Sequence, residues 1–249
     1  MARVNYDAVA RTYQSGRGER AQVEACRKAV AGHLPARPNG LRVLDLGAGT
    51  GIFARVWPEW GAARVIALDL ARGMLAESRR IGLPAVTQPV VGRGEALPLR
   101  SASQDVAWIS TVFHHLKDPA ACIADLRRVL VPDGVVFLRA MYSDLDSAPG
   151  WYDVFPGGQR AYQRFTRLAD LTRQFEAGGF RAHGIEKLSQ ATALASEVDD
   201  WVRRMRHADS FLVALTDDEV DAGLAALADV PPYTTFGRGA LHIAVFRAP

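Results

Sequence analysis

Residues Val43–Gly51 read VLDLGAGTG. An apolar run is broken by a single acid, Asp45, and then by glycine at positions 47, 49 and 51. A short, continuously apolar run of this kind reads as a strand covered on both faces. Glycine just beyond it lets the backbone turn sharply and lets a ligand approach closer than any Cβ would allow. In open α/β sheets, ligands bind at the carboxyl ends of the strands, where strand order reverses. This junction therefore predicts both a fold class and the place of a site.

The pattern repeats outward. Leu41–Leu46, Arg64–Leu70, Ala85–Val91, Asp105–Ile109 and Gly134–Ala140 are all short and β-rich. Helix-length segments alternate with them, at Ile52–Trp60, Ala71–Arg80 and Asp118–Leu130, and Pro119 suits the first turn of the last. VPDG (Val131–Gly134) predicts a tight turn into the next strand. Strand–helix–strand alternation builds a doubly wound, mostly parallel α/β sheet. After Ala140 the rhythm changes to a Pro/Gly/aromatic stretch and a helix ending at EAGGF. A strand-like RAHGIEKL follows, then helical segments around Glu197–His207 and Asp217–Ala228, and a final strand at Ala240–Phe246. The reading is one domain over 1–249: a helical cover (1–36), a core (37–141), a substrate-side region with a helical cap (142–235) and a closing strand (236–249).

Composition bounds the function classes. No stretch approaches the roughly 18 apolar residues of a membrane span, and the opening MARVNYDAVARTY lacks a basic-then-apolar signal layout, which predicts a cytoplasmic protein without a membrane partner. Cys26 and Cys122 are far apart and lack CxxC spacing, which argues against a disulfide framework or a zinc site. The net charge of +3 and the pI of 9.1 come almost wholly from arginine. These arginines are scattered rather than gathered into a tract, so they read as compositional bias and not as a nucleic-acid surface.

Asp45 and the amides of the glycine loop suit a ligand carrying both an ammonium and a carboxylate. Asp69 ends the next strand, 20 residues after Gly49, where a carboxylate can accept the hydroxyls of a ribose. A dinucleotide fingerprint would place its third glycine at position 52, which holds isoleucine. The spacing is GxGxG instead, which disfavours a nicotinamide-dependent oxidoreductase.

This arrangement resembles the class I S-adenosylmethionine-dependent methyltransferases, in particular the small-molecule group that includes the ubiquinone/menaquinone methyltransferases. VLDLGAGTG is similar to their first motif and ALDLARGML (Ala67–Leu75) to their second. GEALPL (Gly94–Leu99) resembles the adenine-contacting segment, and DVAWISTVFHHLKDP (Asp105–Pro119) the strand and loop lining the active site. VLVPDGVVFL (Val129–Leu138) matches the next helix–turn–strand, and YDAVARTY (Tyr6–Tyr13) a helix that closes over the cofactor. The resemblance implies a seven-stranded, Rossmann-like methyltransferase sheet binding S-adenosylmethionine. It implies Gly47, Ala48, Gly49 and Gly51 beside the methionine moiety, Asp69 on the ribose, and Leu70 and Met74 flanking the adenine. Gly94, Glu95 and Ala96 would lie at the adenine edge, and Ser110 and Thr111 near the transferable methyl. Tyr6, Tyr13 and Arg17 could cover the cofactor or substrate, or equally belong to an amphipathic helix packing on the domain. The family often carries Asp where this chain has Arg93, so the adenine contact is expected to be altered.

His114 and His115 follow the fourth strand where an acceptor would lie, and a neutral imidazole there could take a proton from it. One of two adjacent side chains must nevertheless point away. Met74 at helical spacing equally suits a core position. Asp144 and Asp146 could suggest a metal, but the loop after the fourth strand offers no acid to complete an oxygen-rich site, so no metal is expected. Base-methylating enzymes typically carry an Asn/Asp-Pro-Pro-aromatic tetrad where this chain has STVF, which disfavours a nucleic-acid substrate. A module that binds the cofactor without transferring its methyl group stays open. The cap is rich in aromatic residues (Trp151, Tyr152, Phe155, Phe165, Trp201, Phe211), which fits either an apolar or aromatic acceptor or the cap's own core. A homodimer is an open expectation.

Overall fold

A computed structural model describes residues 4–15, 20–37, 39–146, 148–188 and 192–249. Its strands are β1 (Leu41–Leu46), β2 (Ala62–Asp69), β3 (Thr87–Val91), β4 (Gln104–Ser110), β5 (Leu130–Ala140), β6 (Arg181–Leu188), β7 (Ala193–Leu194), β8 (Thr235–Phe236) and β9 (Leu241–Arg247). β7 and β8 form a small separate ladder, and the other strands make one seven-stranded sheet in the order β3-β2-β1-β4-β5-β9-β6. Only β9 runs against its neighbours, pairing antiparallel with both β5 and β6. Strand order reverses between β1 and β4, so the glycine loop after β1 opens onto the switch point.

The continuous apolar runs are explained by two covered faces. Leu44, Leu46, Leu68, Ile109 and Leu138 point into one core, under α5 (Pro119–Val129) and α7 (Leu168–Ala177), which add Leu126 and Phe175. Their immediate neighbours Val43, Ala67, Trp108 and Phe137 point into the other core, with Cys26 and Val30 of α2 (Arg20–Ala31) and Phe53 of α3 (Ile52–Val56). This is the period-2 alternation of a strand, with both faces apolar. Trp108 sits centrally in the second core, 4.6 Å from the Phe53 ring and 5.9 Å from Trp57 by centroids. Truncating a buried ring of this size costs about 3–5 kcal/mol.

Two local departures from the sequence expectations have plain causes. The segment Ile52–Trp60 does not continue as one α-helix but tightens into a 3₁₀ turn at Trp57–Trp60. Pro58 has no N–H to give the carbonyl of Ala54, and the Thr87 hydroxyl donates to that carbonyl instead, at 3.2 Å. VPDG is taken up into β5 as a bulge: between Gln104↔Leu130 and Val106↔Val135 the pairing register jumps, and Asp133 takes a left-handed φ of 57°.

α1 (Tyr6–Ser15) lies against α4 (Arg72–Ile81). Ala71 at the start of α4 supplies no side-chain cap. Asp7 of α1 fills that role from outside, accepting the Gly73 N–H at 2.6 Å, where a carboxylate also meets the positive end of the helix dipole. The approach requires glycine, since a Cβ at Gly73 would lie 2.7 Å from the Asp7 carbonyl oxygen.

Above the carboxyl ends of β4 and β5 and the amino end of β9 sits the cap: a 3₁₀ turn at Gly150–Val154, α6 (Gly158–Tyr162), α8 (Ala195–Met205), α9 (Ser210–Val213) and α10 (Asp217–Ala228). It has a core of its own, in which Tyr152 and Phe211 stack at 3.6 Å and Val202, Met205 and Leu227 are buried.

Candidate active site

Between the sheet edge, α1 and the cap lies a cavity of about 480 Å³. Its floor begins at the glycine loop. Gly47 and Ala48 donate their amides to the Leu68 carbonyl at 2.7 and 3.0 Å, folding the loop over the end of β2. Gly49 donates to Asp69 Oδ2 at 2.8 Å, and Ala71 donates to the other oxygen, Oδ1, also at 2.8 Å. The glycines serve different ends. A Cβ on Gly47 would meet Val112 Cγ2 at 2.3 Å, so this residue is demanded by packing. A Cβ on Gly49 would meet no protein atom within 4 Å, yet Gly49 has a left-handed φ of 55° and lines the cavity. Space left bare beside a ligand-sized cavity is what a closely approaching ligand needs.

Asp45 lies at the floor and is only 2% exposed. Its Oδ2 has no hydrogen-bond partner among the described residues. Burial, with the nearby charge of Asp69, pushes its carboxyl up to about 8, and the backbone N–H of Ala54 offsets part of this. Asp69 is likewise raised by burial, against the amides of Ala71, Gly49 and Leu70 that favour its charged form. Two acids at neighbouring strand ends, one with an unmatched oxygen, make a cation-receptive floor.

Of the residues expected at the site, Tyr13, Asp45, Gly47, Ala48, Gly49, Ser110, Thr111 and His114 line the cavity. Thr111 does so with a left-handed φ of 55°, a strained value for a β-branched residue. Asp69, Leu70, Gly94, Glu95 and Ala96 stand outside its walls. Leu70, next to Asp69 in the chain, is 62% exposed. Gly94 packs close to Leu116, Cys122 and Leu46. The Glu95 carboxylate accepts the Lys117 N–H at 2.9 Å, and Arg93 and Ala96 form an isolated bridge around it. Met74 is buried with Ala10 and Ala71 beneath α1, packed by Tyr6, Val9 and Tyr13, so its side chain belongs to the seam between the cover and α4. Arg17 lies outside the described residues.

The two histidines part company. His114 faces the cavity, with Nε2 3.1 Å from Ser210 Oγ of the cap. His115 packs beside His114 with ring centroids 3.9 Å apart, its Nε2 hydrogen-bonded to the Tyr6 hydroxyl of α1 at 2.8 Å and 3.4 Å from the same Ser210 Oγ, and is not among the cavity-lining side chains. Asp144 and Asp146 have structural duties. Asp144 accepts the Leu168 and Ala169 amides at the start of α7, and Asp146 pairs with Lys187 at 2.7 Å and His242 at 3.0 Å. No cluster of metal-ligating side chains occurs among the described residues.

The sequence reading missed Arg139. It lines the cavity near the end of β5, with NH1 donating to Ser110 Oγ at 3.1 Å and NH2 to Gln22 Oε1 at 3.2 Å. The available signal was a lone charge inside GVVFLRA, an otherwise apolar strand. Of the cap aromatics, Trp151, Tyr152, Phe165 and Trp201 reach the cavity, whereas Phe155 and Phe211 serve the cap core.

A methyltransferase-domain family profile matches residues 44–138, the stretch that runs from β1 to β5 and carries the glycine loop and Asp69. The chain belongs to the class I S-adenosylmethionine-dependent methyltransferases. Members of that family are enzymes that take the methyl group from S-adenosylmethionine. The methyltransferase is 36% identical over 173 residues to a malonyl-[acyl-carrier protein] O-methyltransferase of Serratia marcescens, covering 68% of this chain and 66% of that one. It is 37% identical over 116 residues to the enzyme of the same name from Enterobacter lignolyticus, covering 47% and 45%. The match thus spans about half to two thirds of these curated relatives. Among solved structures, an S-adenosylmethionine-dependent methyltransferase from Mesorhizobium loti shares the fold with a TM-score of 0.54 at 22% identity, covering 90% of this chain and 97% of that one. No helix among the described residues is long and apolar enough to cross a membrane.

Proposed function

We propose that this chain transfers the methyl group of S-adenosylmethionine to a small-molecule acceptor with an apolar or aromatic body. The carrying observation is the floor of the cavity: an unmatched carboxylate oxygen on Asp45 next to the bare space over Gly49. That floor fits a cationic ligand passing close to the main chain. Asp69 would hold the ribose, its oxygens already aimed by Gly49 and Ala71, while the exposed Leu70 offers an apolar surface for the base. Ser110 and Thr111 would face the methionine moiety.

S-adenosylmethionine supplies a sulfonium methyl that is already electrophilic. The residues of the chain therefore have to align the acceptor and keep water out. Trp151, Phe165 and Trp201 provide an aromatic ceiling for the acceptor, and α1 with Tyr6 and Tyr13 closes the side. His114 stands where it could take a proton from a hydroxyl acceptor, whereas an amine or stabilised carbanion would need no such base.

The test is calorimetric titration with S-adenosylmethionine, S-adenosylhomocysteine and NAD on the wild type and on Asp69→Ala, followed by transfer of labelled methyl to a panel of acceptors. The expected result is tight binding of the first two ligands, weakened in the variant, with transfer to an apolar acceptor. Binding of NAD in their place would overturn the cofactor reading. Cofactor binding with no transfer to any acceptor would leave a binding module in place of the enzyme.

A further inference from the structure

β5 is covered on both faces, yet its penultimate residue is an arginine that is only 7% exposed. Burying a guanidinium carries a desolvation cost of several kcal/mol. Two residues earlier on the same face, Phe137 packs into the apolar core instead. Arg139 is held from several elements at once. Ser110 on β4 and Gln22 on α2 accept from its two terminal nitrogens, and the Phe53 ring of α3 lies under it at 5.6 Å. The Cys26 thiol of α2 also lies within its reach. Such contacts fix the plane of the fork without taking it out of the cavity wall.

Its position relative to Asp45 is informative. Asp45 pairs in register with Trp108, and Arg139 pairs with Ser110, two residues further along the same strand. Both side chains therefore project from one face of the sheet, on either side of β4, two strand spacings apart sideways and two residues apart lengthwise, roughly 12 Å between their backbones. An acid and a base flanking one floor suit a ligand with a cationic and an anionic end. A planar, always-charged fork matches the two oxygens of a carboxylate.

We propose that Arg139, oriented by Gln22 and Ser110, is a carboxylate seat inside the cavity. The proposal rests on the methyltransferase reading for what fills the remaining space. Two sources supply the same chemistry: the amino-acid end of the cofactor, or an acidic group on the acceptor.

The experiment is titration calorimetry on the wild type, Arg139→Gln, Arg139→Lys and Gln22→Ala, with melting curves as a folding control. One arm compares S-adenosylhomocysteine with its decarboxylated counterpart. The other compares aryl and alkyl monocarboxylates with their neutral amides, with and without S-adenosylhomocysteine present. If the cofactor fills the seat, the wild type prefers the carboxylated form by about 30-fold or more, and Arg139→Gln reduces this to within about 3-fold. If the acceptor fills it, Arg139→Gln binds S-adenosylhomocysteine normally and loses the preference for carboxylates over amides. Should Arg139→Gln fail to fold, Arg139→Lys, which keeps the charge without the fork, and Gln22→Ala must each lower the carboxylate preference. A purely structural Arg139 would change melting temperatures and leave both preferences intact, which overturns the proposal. A wild type that binds carboxylates through Arg139 but no S-adenosylhomocysteine would sink the methyltransferase reading and spare the seat. Binding of neither would sink both.

Discussion

Gly49 donates its backbone N–H to Asp69 Oδ2 at 2.8 Å, tying the loop after β1 to the acid that ends β2. The same carboxylate receives Ala71 on its other oxygen, so one side chain sets the shape of the loop and of the entrance to α4. Asp69→Ala leaves both amides without their acceptor and is expected to weaken S-adenosylhomocysteine binding at least 30-fold or so. Asp69→Asn, which keeps one acceptor oxygen, should fall between. Calorimetry measures both, and equal affinities in all three proteins would remove Asp69 from the ligand site.

Gly47 and Gly49 separate folding from binding. Gly47→Ala drives a methyl into Val112 and should cost about 2–4 kcal/mol of stability. Gly49→Ala pays only for a left-handed alanine, about 1–2 kcal/mol, but fills the space beside the floor. The expected pattern is a large drop in melting temperature for the first. For the second the drop is modest, with cofactor affinity down by about tenfold or more. A Gly49→Ala protein that binds as well as the wild type would show that the bare space is not used.

Asp45 makes a pH prediction whose sign is set by its raised value. A carboxyl held at about 8 in the folded chain favours folding below its unfolded value near 4, and that contribution is lost as pH rises through about 8. Asp45→Asn should therefore raise the melting temperature of the ligand-free protein more at pH 9 than at pH 5. A bound cation favours the ionised form, so cofactor binding near pH 7 should release about one proton. Titrations in buffers of different ionisation enthalpy read this directly. The release should vanish in Asp45→Asn, and a wild type that releases none would contradict the role given to the unmatched oxygen.

Tyr6 and His115 join the cover helix to the loop after β4 across 109 residues of sequence. Removing one exchangeable hydrogen bond of this kind costs about 1 kcal/mol, too little to unfold the domain but enough to loosen α1. Tyr6→Phe should speed amide exchange in α1 and raise the cofactor off-rate several-fold, with melting little changed. Exchange confined to the cap, with α1 unaffected, would show that the pair does not hold the cover.

How legible all this was depended on how local each cause is. The strands around β1 declared themselves because burial on both faces writes a continuous apolar run, and Asp69 stood out as a lone acid at a buried strand end, whose ties to the Gly49 and Ala71 amides only the fold reveals. The split of Ile52–Trp60 was also written locally, in Pro58, although the apolar pattern outweighed it. The choice between His114 and His115 was not legible, since it depends on Tyr6, which only the folded chain brings to His115. Arg139 was hidden for a similar reason. A single charge in a strand has no meaning until Gln22, Phe53 and Ser110 surround it.

Every buried member of the cap core falls between Trp151 and Leu227, and the Tyr152–Phe211 stack lies within it. The ceiling of the cavity thus coheres without borrowing from the strands that carry the glycine loop. On the proposed reading, the two halves are separable: acceptor preference can be revised at Trp151, Phe165 or Trp201 while the donor end is left unchanged.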